Sequence, residues 1–133
     1  MKLAHSIAMT ALLGALSLAG SALAAPTGAV LFAQNCSACH QAAGQGVPGA
    51  YPALAGNTFV RGDPKTVASV VLHGRGGMPS FSDDLSNADI AAVLTYVRSS
   101  WGNHASAVDP AVVAAARGHS GGAHSGSSVL PGH

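Results

Sequence analysis

The clearest pattern in the chain is a run of apolar residues at helical spacing in its second half. They recur at i, i+3, i+4, i+7 and i+11 and are Ile90, Val93, Leu94, Val97 and Trp101. This spacing is typical of an amphipathic helix with one buried face. Ser86 and Asp89 form an S-x-x-D start, and Gly102 provides a stop. We therefore predict a helix that begins at Ser86 and ends at Gly102.

Two shorter helices are predicted upstream. Thr27 is placed to cap a first helix that runs to about Asn35. Asp63 followed by Pro64 is a typical N-cap and first helical residue. Gly74 can adopt the left-handed conformation that often ends a helix. The second helix should therefore run from Asp63 to Gly74.

The segments between these helices show no convincing strand. Residues 41–57 are rich in Gly and Pro, and a glycine-rich turn covers residues 74–79. Both compositions are typical of irregular loops, and long ordered loops in compact domains often carry function. The pattern as a whole predicts an all-α fold.

The first 24 residues have the features of a signal peptide. The start is weakly positive, an apolar run extends from Ile7 to Leu18, and Ala22 and Ala24 form an A-x-A pair. A retained membrane anchor is the alternative, but the run is shorter than the span of about 20 residues that a bilayer requires. We predict cleavage after Ala24, export, and no stable membrane insertion.

A second change of composition follows His104. Residues 118–133 are mostly Gly, Ser and His, so we predict a flexible tail over residues 105–133, in which residues 112–116 are compatible with one short helix. A metal site built from the tail histidines is the alternative; these are His119, His124 and His133. The domain between signal and tail, residues 25–104, is too short for a Rossmann or barrel enzyme.

Charge and composition exclude several classes of partner. Charged residues make up 8% of the chain and aromatic residues 5%, which argues against nucleic-acid binding and against a charged disordered chain. After residue 24 the basic and acidic side chains are equal in number. A neutral surface gives little long-range steering toward a charged partner.

The motif that carries chemistry is Cys36-Ser37-Ala38-Cys39-His40, a C-x-x-C-H pentapeptide. It is the attachment signature of c-type haem. The spacing suits the reaction because two thiols separated by two residues reach the two vinyl groups on one edge of the porphyrin, and His40 then falls beside the iron. We predict one haem c, covalently bound through Cys36 and Cys39, with His40 as an axial ligand.

Other uses of the cysteine pair fit the sequence less well. A thioredoxin-type pair expects a βαβ pattern, a zinc site expects a second pair of ligands, and a disulfide within C-x-x-C closes a very small loop. The sequence has no βαβ pattern and no further cysteine. Haem attachment is therefore the favoured interpretation.

Met78 is the candidate for the second axial ligand. Once residues 1–24 are removed it is the only methionine, and it lies in a Gly-Gly-Met-Pro turn. Glycine lets a backbone lie close to a planar ring, whereas a methionine within a helix is usually core filler. His/Met ligation raises the reduction potential and suits electron transfer. His73 and His104 are the alternative ligands.

Over about residues 27–104 the chain resembles the class I cytochromes c. The shared pieces occur in order: a short helix into the C-x-x-C-H motif, Tyr51-Pro52-Ala53-Leu54-Ala55-Gly56, Gly77-Met78-Pro79, and a last helix with Tyr96 and Trp101. The chain is most similar to small exported monohaem cytochromes and to cytochrome subunits or domains of bacterial periplasmic dehydrogenases. The resemblance implies a cytochrome c fold, in which three to four short helices wrap around one covalently attached haem.

The resemblance also implies several contacts. The His40 ring should donate a hydrogen bond to the carbonyl of Pro52 and so have its tautomer fixed, although Tyr51 replaces the usual Gly there; Pro48 is the alternative acceptor. Candidate contacts to the haem propionates, with ordinary packing or solvent exposure as the alternative, are Tyr51, Trp101 and Arg61.

The first and last helices of the family cross and pack together. Here Val30 or Leu31 should meet Leu94 or Val97, and Gly28 should permit a close approach. Apolar residues are expected around the haem edge near the two cysteines, and the candidates are Val47 and Phe81.

We therefore predict a periplasmic electron-transfer protein with one His/Met-ligated haem, and not an enzyme. Its partners should be redox proteins, namely a periplasmic dehydrogenase, a respiratory oxidase or both. One alternative is a haem subunit within a dehydrogenase complex. The other is a ligand-binding haem enzyme or sensor whose sixth iron position is labile.

Overall fold

The computed structural model describes residues 24–118, and these form six helices. The helices are α1 (Gly28–Asn35), α2 (Ser37–His40), α3 (Thr58–Arg61), α4 (Pro64–His73), α5 (Asn87–Ser99) and α6 (Pro110–Gly118). The described residues contain no strand and only two isolated bridges, so the all-α prediction is confirmed. The helices outnumber the predicted three to four because α2 and α3 are single turns and α6 lies beyond the predicted domain.

Side-chain caps begin the three predicted helices. Thr27 and Asp63 each accept a hydrogen bond from the backbone N–H three residues later, at 3.3 and 2.8 Å. Hydrogen bonds from the Thr66 side chain and backbone hold the pKa of the Asp63 carboxyl below its usual value. Ser86 and Asp89 cap each other reciprocally, each accepting the other's backbone N–H at 3.1 Å. The three predicted starts are confirmed.

The end of α5 differs from the prediction. The helix ends at Ser99, and Trp101 has a φ of +52°, which lies outside the helical region. Its ring packs against Phe32 and Tyr96, with centroid distances of 4.9 and 5.4 Å. Aromatic packing between elements, rather than continued helical periodicity, therefore accounts for the apolar residue at position 101.

Helices α1 and α5 cross closely at Gly28. A Cβ at this position would lie 2.2 Å from the carbonyl oxygen of Ala92 and 2.8 Å from the Cβ of Tyr96, so only glycine fits. Leu31 is 4% exposed and lies in the core, whereas Val30 is 43% exposed. The predicted crossing is confirmed, with Leu31 as the residue that faces inward.

One apolar core lies between the longer helices. The buried residues of α4 and α5 contribute most of this core, and α1, α3, α6 and the loops contribute the rest. The core residues include Leu72, Ile90, Val93, Leu94, Val97, Leu31, Phe32, Val60, Leu85, Val108 and Val113. Within residues 24–118, no helix has both the length and the apolar character needed to cross a bilayer.

Residues 105–118 belong to the packed structure. The N–H of Val108 donates to the Thr95 hydroxyl at 2.9 Å, α6 packs against α4 and α5, and Val113 and Ala116 are 0% and 2% exposed. The predicted tail boundary at residue 105 is therefore wrong, because the apolar face of this short helix is covered by surfaces that are distant in sequence. The rest of the predicted tail, including its three histidines, and residues 1–23 lie outside the described residues.

Replacing Gly28 with Ala should weaken the crossing of α1 and α5. The added methyl meets a backbone carbonyl, and overpacking of this kind costs about 1–3 kcal/mol. We expect the free energy of unfolding, measured by denaturant titration, to fall by about that amount. Gly118→Ala is the control, because a Cβ there meets nothing within 4 Å. Equal stability of the two variants would contradict the close crossing.

Candidate haem-binding site

The C-x-x-C-H motif occupies a single helical turn directly after α1. The N–H of Cys36 donates to the Phe32 carbonyl at 2.9 Å and closes α1, while the N–H groups of Cys39 and His40 donate to the Cys36 carbonyl at 3.2 and 2.9 Å. Both thiols are free, and all three side chains are half-buried. Two thiols and one imidazole therefore share one rigid turn anchored to the core.

Cys36 lies in an apolar setting. Its burial, with a smaller contribution from neighbouring Cys39, raises the pKa of the Cys36 thiol to about 11. Thiol–disulfide exchange requires the thiolate. At neutral pH the Cys36 thiol stays protonated, which disfavours the thioredoxin-type use of the pair.

The His40 ring is oriented by a backbone carbonyl. Its Nδ1 lies 2.9 Å from the carbonyl oxygen of Pro52, as predicted, and Pro48 is not the acceptor. Because a carbonyl oxygen only accepts, Nδ1 carries the proton and the lone pair lies on Nε2. The contact therefore fixes both the tautomer and the direction of the imidazole.

The loop that carries Pro52 folds back on His40 and on the core. The N–H of Gly46 donates to the His40 carbonyl at 2.9 Å, and the N–H of Leu54 donates to the Gly44 carbonyl at 2.7 Å. At Gly46 a Cβ would lie 2.4 Å from the carbonyl oxygen of Tyr51. Glycine is thus required where the two halves of the loop meet.

Met78 ends a tight turn that begins directly after α4. Its N–H donates to the Arg75 carbonyl at 3.0 Å, and its carbonyl accepts from the Arg75 N–H at 3.2 Å. Gly74 has a φ of +74° and a ψ of 173°, a conformation that is essentially limited to glycine. A Cβ there would lie 2.4 Å from the Met78 carbonyl oxygen. The backbone of Met78 is therefore in close contact with Gly74.

The chain after Met78 is tied to the end of α4. The Ser80 hydroxyl donates to the Leu72 carbonyl, and the N–H of Phe81 donates to the Val71 carbonyl at 3.0 Å. Phe81 is half-buried and packs against the core. The Met78 turn is therefore held on both sides by the same helix.

The alternative ligands occupy other settings. The Nδ1 of His73 lies 2.9 Å from the Ser69 carbonyl in its own helix, and the side chain is exposed, as is that of His104.

Arg61, one of the candidate contacts to the haem propionates, donates to the carbonyls of Gly56 and Asn57 at 3.3 and 3.4 Å.

Of the remaining predicted residues, Trp101 belongs to an aromatic cluster with Phe32 and Tyr96. Tyr51 and Val47 are 44% and 38% exposed, on the loop that holds His40.

Sequence reasoning missed two buried polar residues that hold the loops of the site. Asn103 is fully buried, and its amide donates to the carbonyls of Leu54 and Val97, each at 2.9 Å. Arg98 is 2% exposed, and its guanidinium donates to three carbonyl oxygens, those of Val60, Gly62 and Ser106 at 2.7, 2.8 and 3.1 Å. The only sign in the sequence that Arg98 could be buried was its position in a predicted helix, next to the inward-facing Val97.

The donors present fit a covalently bound haem. Among residues 24–118, no three His, Cys, Asp or Glu side chains group together as they would around a free metal ion. The available donors are instead one oriented imidazole, one thioether and two free thiols on the imidazole's own turn. Both loops also carry half-buried or exposed apolar side chains, which suit an apolar macrocycle.

The helical fold and this donor set define a haem protein of the C-x-x-C-H class. Comparison with known proteins identifies the family: its profile, described as "Cytochrome C oxidase, cbb3-type, subunit III", matches residues 23–97. Cytochrome c-552 of Thermus thermophilus is 38% identical over 108 residues, covering 69% of this chain and 72% of that protein. Cytochrome c6 of a Picosynechococcus species is 36% identical over 108 residues, covering 73% and 92%.

The chain belongs to the c-type cytochrome family. It is an electron-transfer protein with covalently bound haem c, as the sequence predicted. It is also similar to the cytochrome c subunit of the quinone alcohol dehydrogenase of Gluconobacter oxydans, with 37% identity over 90 residues. That match covers 59% of this chain but only 19% of the larger subunit.

Replacing Gly74 with Ala should displace the Met78 turn. The variant combines a backbone conformation that costs about 1–3 kcal/mol without glycine with a steric clash against the Met78 carbonyl. We expect a lower free energy of unfolding and faster amide exchange at Met78, measured by NMR.

Gly76→Ala is the matched control, because Gly76 also has a positive φ but a Cβ there meets nothing within 4 Å. If both variants accelerate exchange at Met78 equally, contact with Gly74 is not what positions the turn.

Proposed function

We propose that Cys36 and Cys39 hold the haem, that His40 and Met78 are the axial ligands of its iron, and that the protein works as a one-electron carrier in the periplasm. The observation that carries the proposal is the 2.9 Å contact between His40 Nδ1 and the Pro52 carbonyl. It reserves Nε2 for the iron and presents it from the turn that bears both thiols.

Pro52 orients His40 and also tunes it. When one nitrogen of an imidazole donates a hydrogen bond to a backbone carbonyl, the other nitrogen becomes a stronger electron-pair donor to a metal. Because the carbonyl belongs to a proline in a loop tied to Gly44 and to Asn103, the acceptor has little freedom to move. The imidazole is thus held in one direction.

Met78 supplies a soft, neutral ligand from a separate loop. A thioether favours the reduced iron and raises the reduction potential relative to a second imidazole. Gly74 and Ser80 keep its backbone at the end of α4. His73 is less suited to this role because its ring is directed to the Ser69 carbonyl of its own helix.

When bound, the haem supplies a one-electron iron couple. The chain's own residues need to hold two ligands, exclude water from the iron and leave part of the ring edge accessible to a partner. None of these tasks requires a proton transfer, and His40 and Met78 would keep water from the iron by occupying both ligand positions.

Met78→Ala tests the proposed ligand. With the thioether removed, we expect loss of the weak thioether–iron charge-transfer band of the oxidised protein and binding of carbon monoxide by the reduced protein. The reduction potential should fall by about 100 mV or more, within the range of about 0.8 V that axial ligands span.

His73→Ala is the control and should keep the wild-type spectrum and potential. If Met78→Ala leaves both unchanged, or His73→Ala opens the iron, the assignment of Met78 is wrong. If the wild-type protein itself binds carbon monoxide readily, the ligand-binding enzyme or sensor becomes the better explanation.

The sequence and the relatives support the proposed export and partner class. Residues 1–24 have the pattern of a signal peptide. Covalent attachment to two thiols also suits an exported protein, because it keeps the haem on a protein that works outside the reducing interior of the cell. We propose a periplasmic dehydrogenase as electron donor and a respiratory oxidase as acceptor. The names of relatives support this pairing, since one is a subunit of a quinone alcohol dehydrogenase and another is a subunit of a cbb3-type oxidase.

A subunit role within a dehydrogenase complex is the second candidate, favoured by the same relative. A chain whose charges cancel after residue 24 is not steered over long distances, which suits stable docking. The two cases differ in apparent mass: gel filtration of the protein from its native source should give the mass of the single chain for a free carrier. Co-elution with a dehydrogenase would overturn the free-carrier role and support the subunit.

A further inference from the structure

Helix α6 reaches the segment that follows Met78 through one side chain. Arg117 lies in the last turn of α6, and all three of its guanidinium nitrogens donate hydrogen bonds. Nε bonds the Asn87 side-chain oxygen at 2.8 Å, Nη1 bonds the Ser82 carbonyl at 2.5 Å, and Nη2 bonds the Leu85 carbonyl at 3.0 Å. One planar group thus binds two points of the segment that joins Met78 to α5 and the first residue of α5 itself.

Arg117 bonds this segment to α6. On its other side it is held to α4 by the Ser80 hydroxyl and the Phe81 N–H. The Leu85 N–H then returns to the Phe81 carbonyl at 3.0 Å, so the segment forms a compact turn between two helices. The hydrogen bonds of Arg117 from α6 add to those that hold the turn to α4.

The base of Arg117 is itself firmly placed. Val113 and Ala116 of α6 are 0% and 2% exposed, and the helix packs against both α4 and α5. The guanidinium is therefore presented by a helix that is fixed to the core. Three hydrogen bonds from one planar guanidinium on a fixed helix restrict the orientation of the bound segment as well as its distance from α6.

We propose that Arg117 is a positioning residue for Met78: by holding residues 82–87 it keeps the Met78 sulfur at the iron and slows its exchange for other ligands. The inference rests on the proposed His40/Met78 ligation. It assigns to α6, which lies beyond the predicted domain, a role in ligand retention as well as in packing.

The test measures imidazole binding to the oxidised, haem-loaded full chain, because imidazole can bind only when Met78 leaves the iron. Arg117→Leu should bind imidazole about tenfold faster, the factor that about 1.4 kcal/mol produces. Arg117→Lys keeps the charge but loses the fork, and should be intermediate. Amide exchange at Phe81 and Leu85 should accelerate in the same order.

Two controls separate positioning from general stability. Asp63→Ala removes the N-cap of α4, at the end of that helix away from Met78. Val60→Ala lowers stability through α3, which packs on α4 and α5 rather than on α6. Both should keep the wild-type rate of imidazole binding.

The outcomes distinguish this inference from the function on which it rests. An oxidised wild-type protein without a thioether–iron band overturns the ligation by Met78. With that band present, a wild-type rate in Arg117→Leu overturns the inference alone. The inference is also overturned if Arg117→Lys binds imidazole at the wild-type rate, since a positive charge would then suffice. It is likewise overturned if Val60→Ala accelerates imidazole binding as much as Arg117→Leu does.

Discussion

The close crossing of α1 and α5 at Gly28 is the constraint on which the rest of the domain depends. Helix α1 leads directly into the turn of Cys36, Cys39 and His40, so the direction of α1 fixes the direction of that turn. Helix α5 leads to Asn103, whose amide holds the loop that carries Pro52. Because both halves of the His40 environment start from this crossing, a shift between the two helices would separate the imidazole from its carbonyl partner.

A domain with long loops has many loop carbonyls to satisfy away from water. Here buried and half-buried side chains on or after the later helices meet that need. Arg98, Asn103 and Arg117 together donate to carbonyls in five separate loop or helix-end segments. The loop that carries Pro52 and the segment after Met78 are therefore each held by a side chain that is distant in sequence, which gives irregular backbone the rigidity that a ligand site requires.

The sequence predicted the features that depend on neighbouring residues. The caps at Thr27, Asp63 and Ser86 could be recognised because the acceptor and its N–H are three residues apart. Trp101 and α6 could not be placed, since their positions are decided by aromatic packing and by surfaces of α4 and α5. The Pro52 acceptor was available only through resemblance to a family, because no local pattern links it to His40. Arg98 and Arg117 were counted only as charges: the position of Arg98 next to Val97 was a weak signal, and no pattern marked Arg117 as a residue that donates to distant loop carbonyls.

The two sides of the proposed iron site are held by different physical means. His40 belongs to the same helical turn as both thiols, so covalent attachment and imidazole ligation reinforce each other. Met78 has no covalent tie; its place depends on Gly74 beneath its carbonyl, on Ser80 and Phe81 at the end of α4, and, on our proposal, on Arg117. A thioether is also the weaker donor of the two. Opening of the site should therefore begin on the methionine side, and the stability of a few hydrogen bonds there should govern whether the protein remains a pure electron carrier.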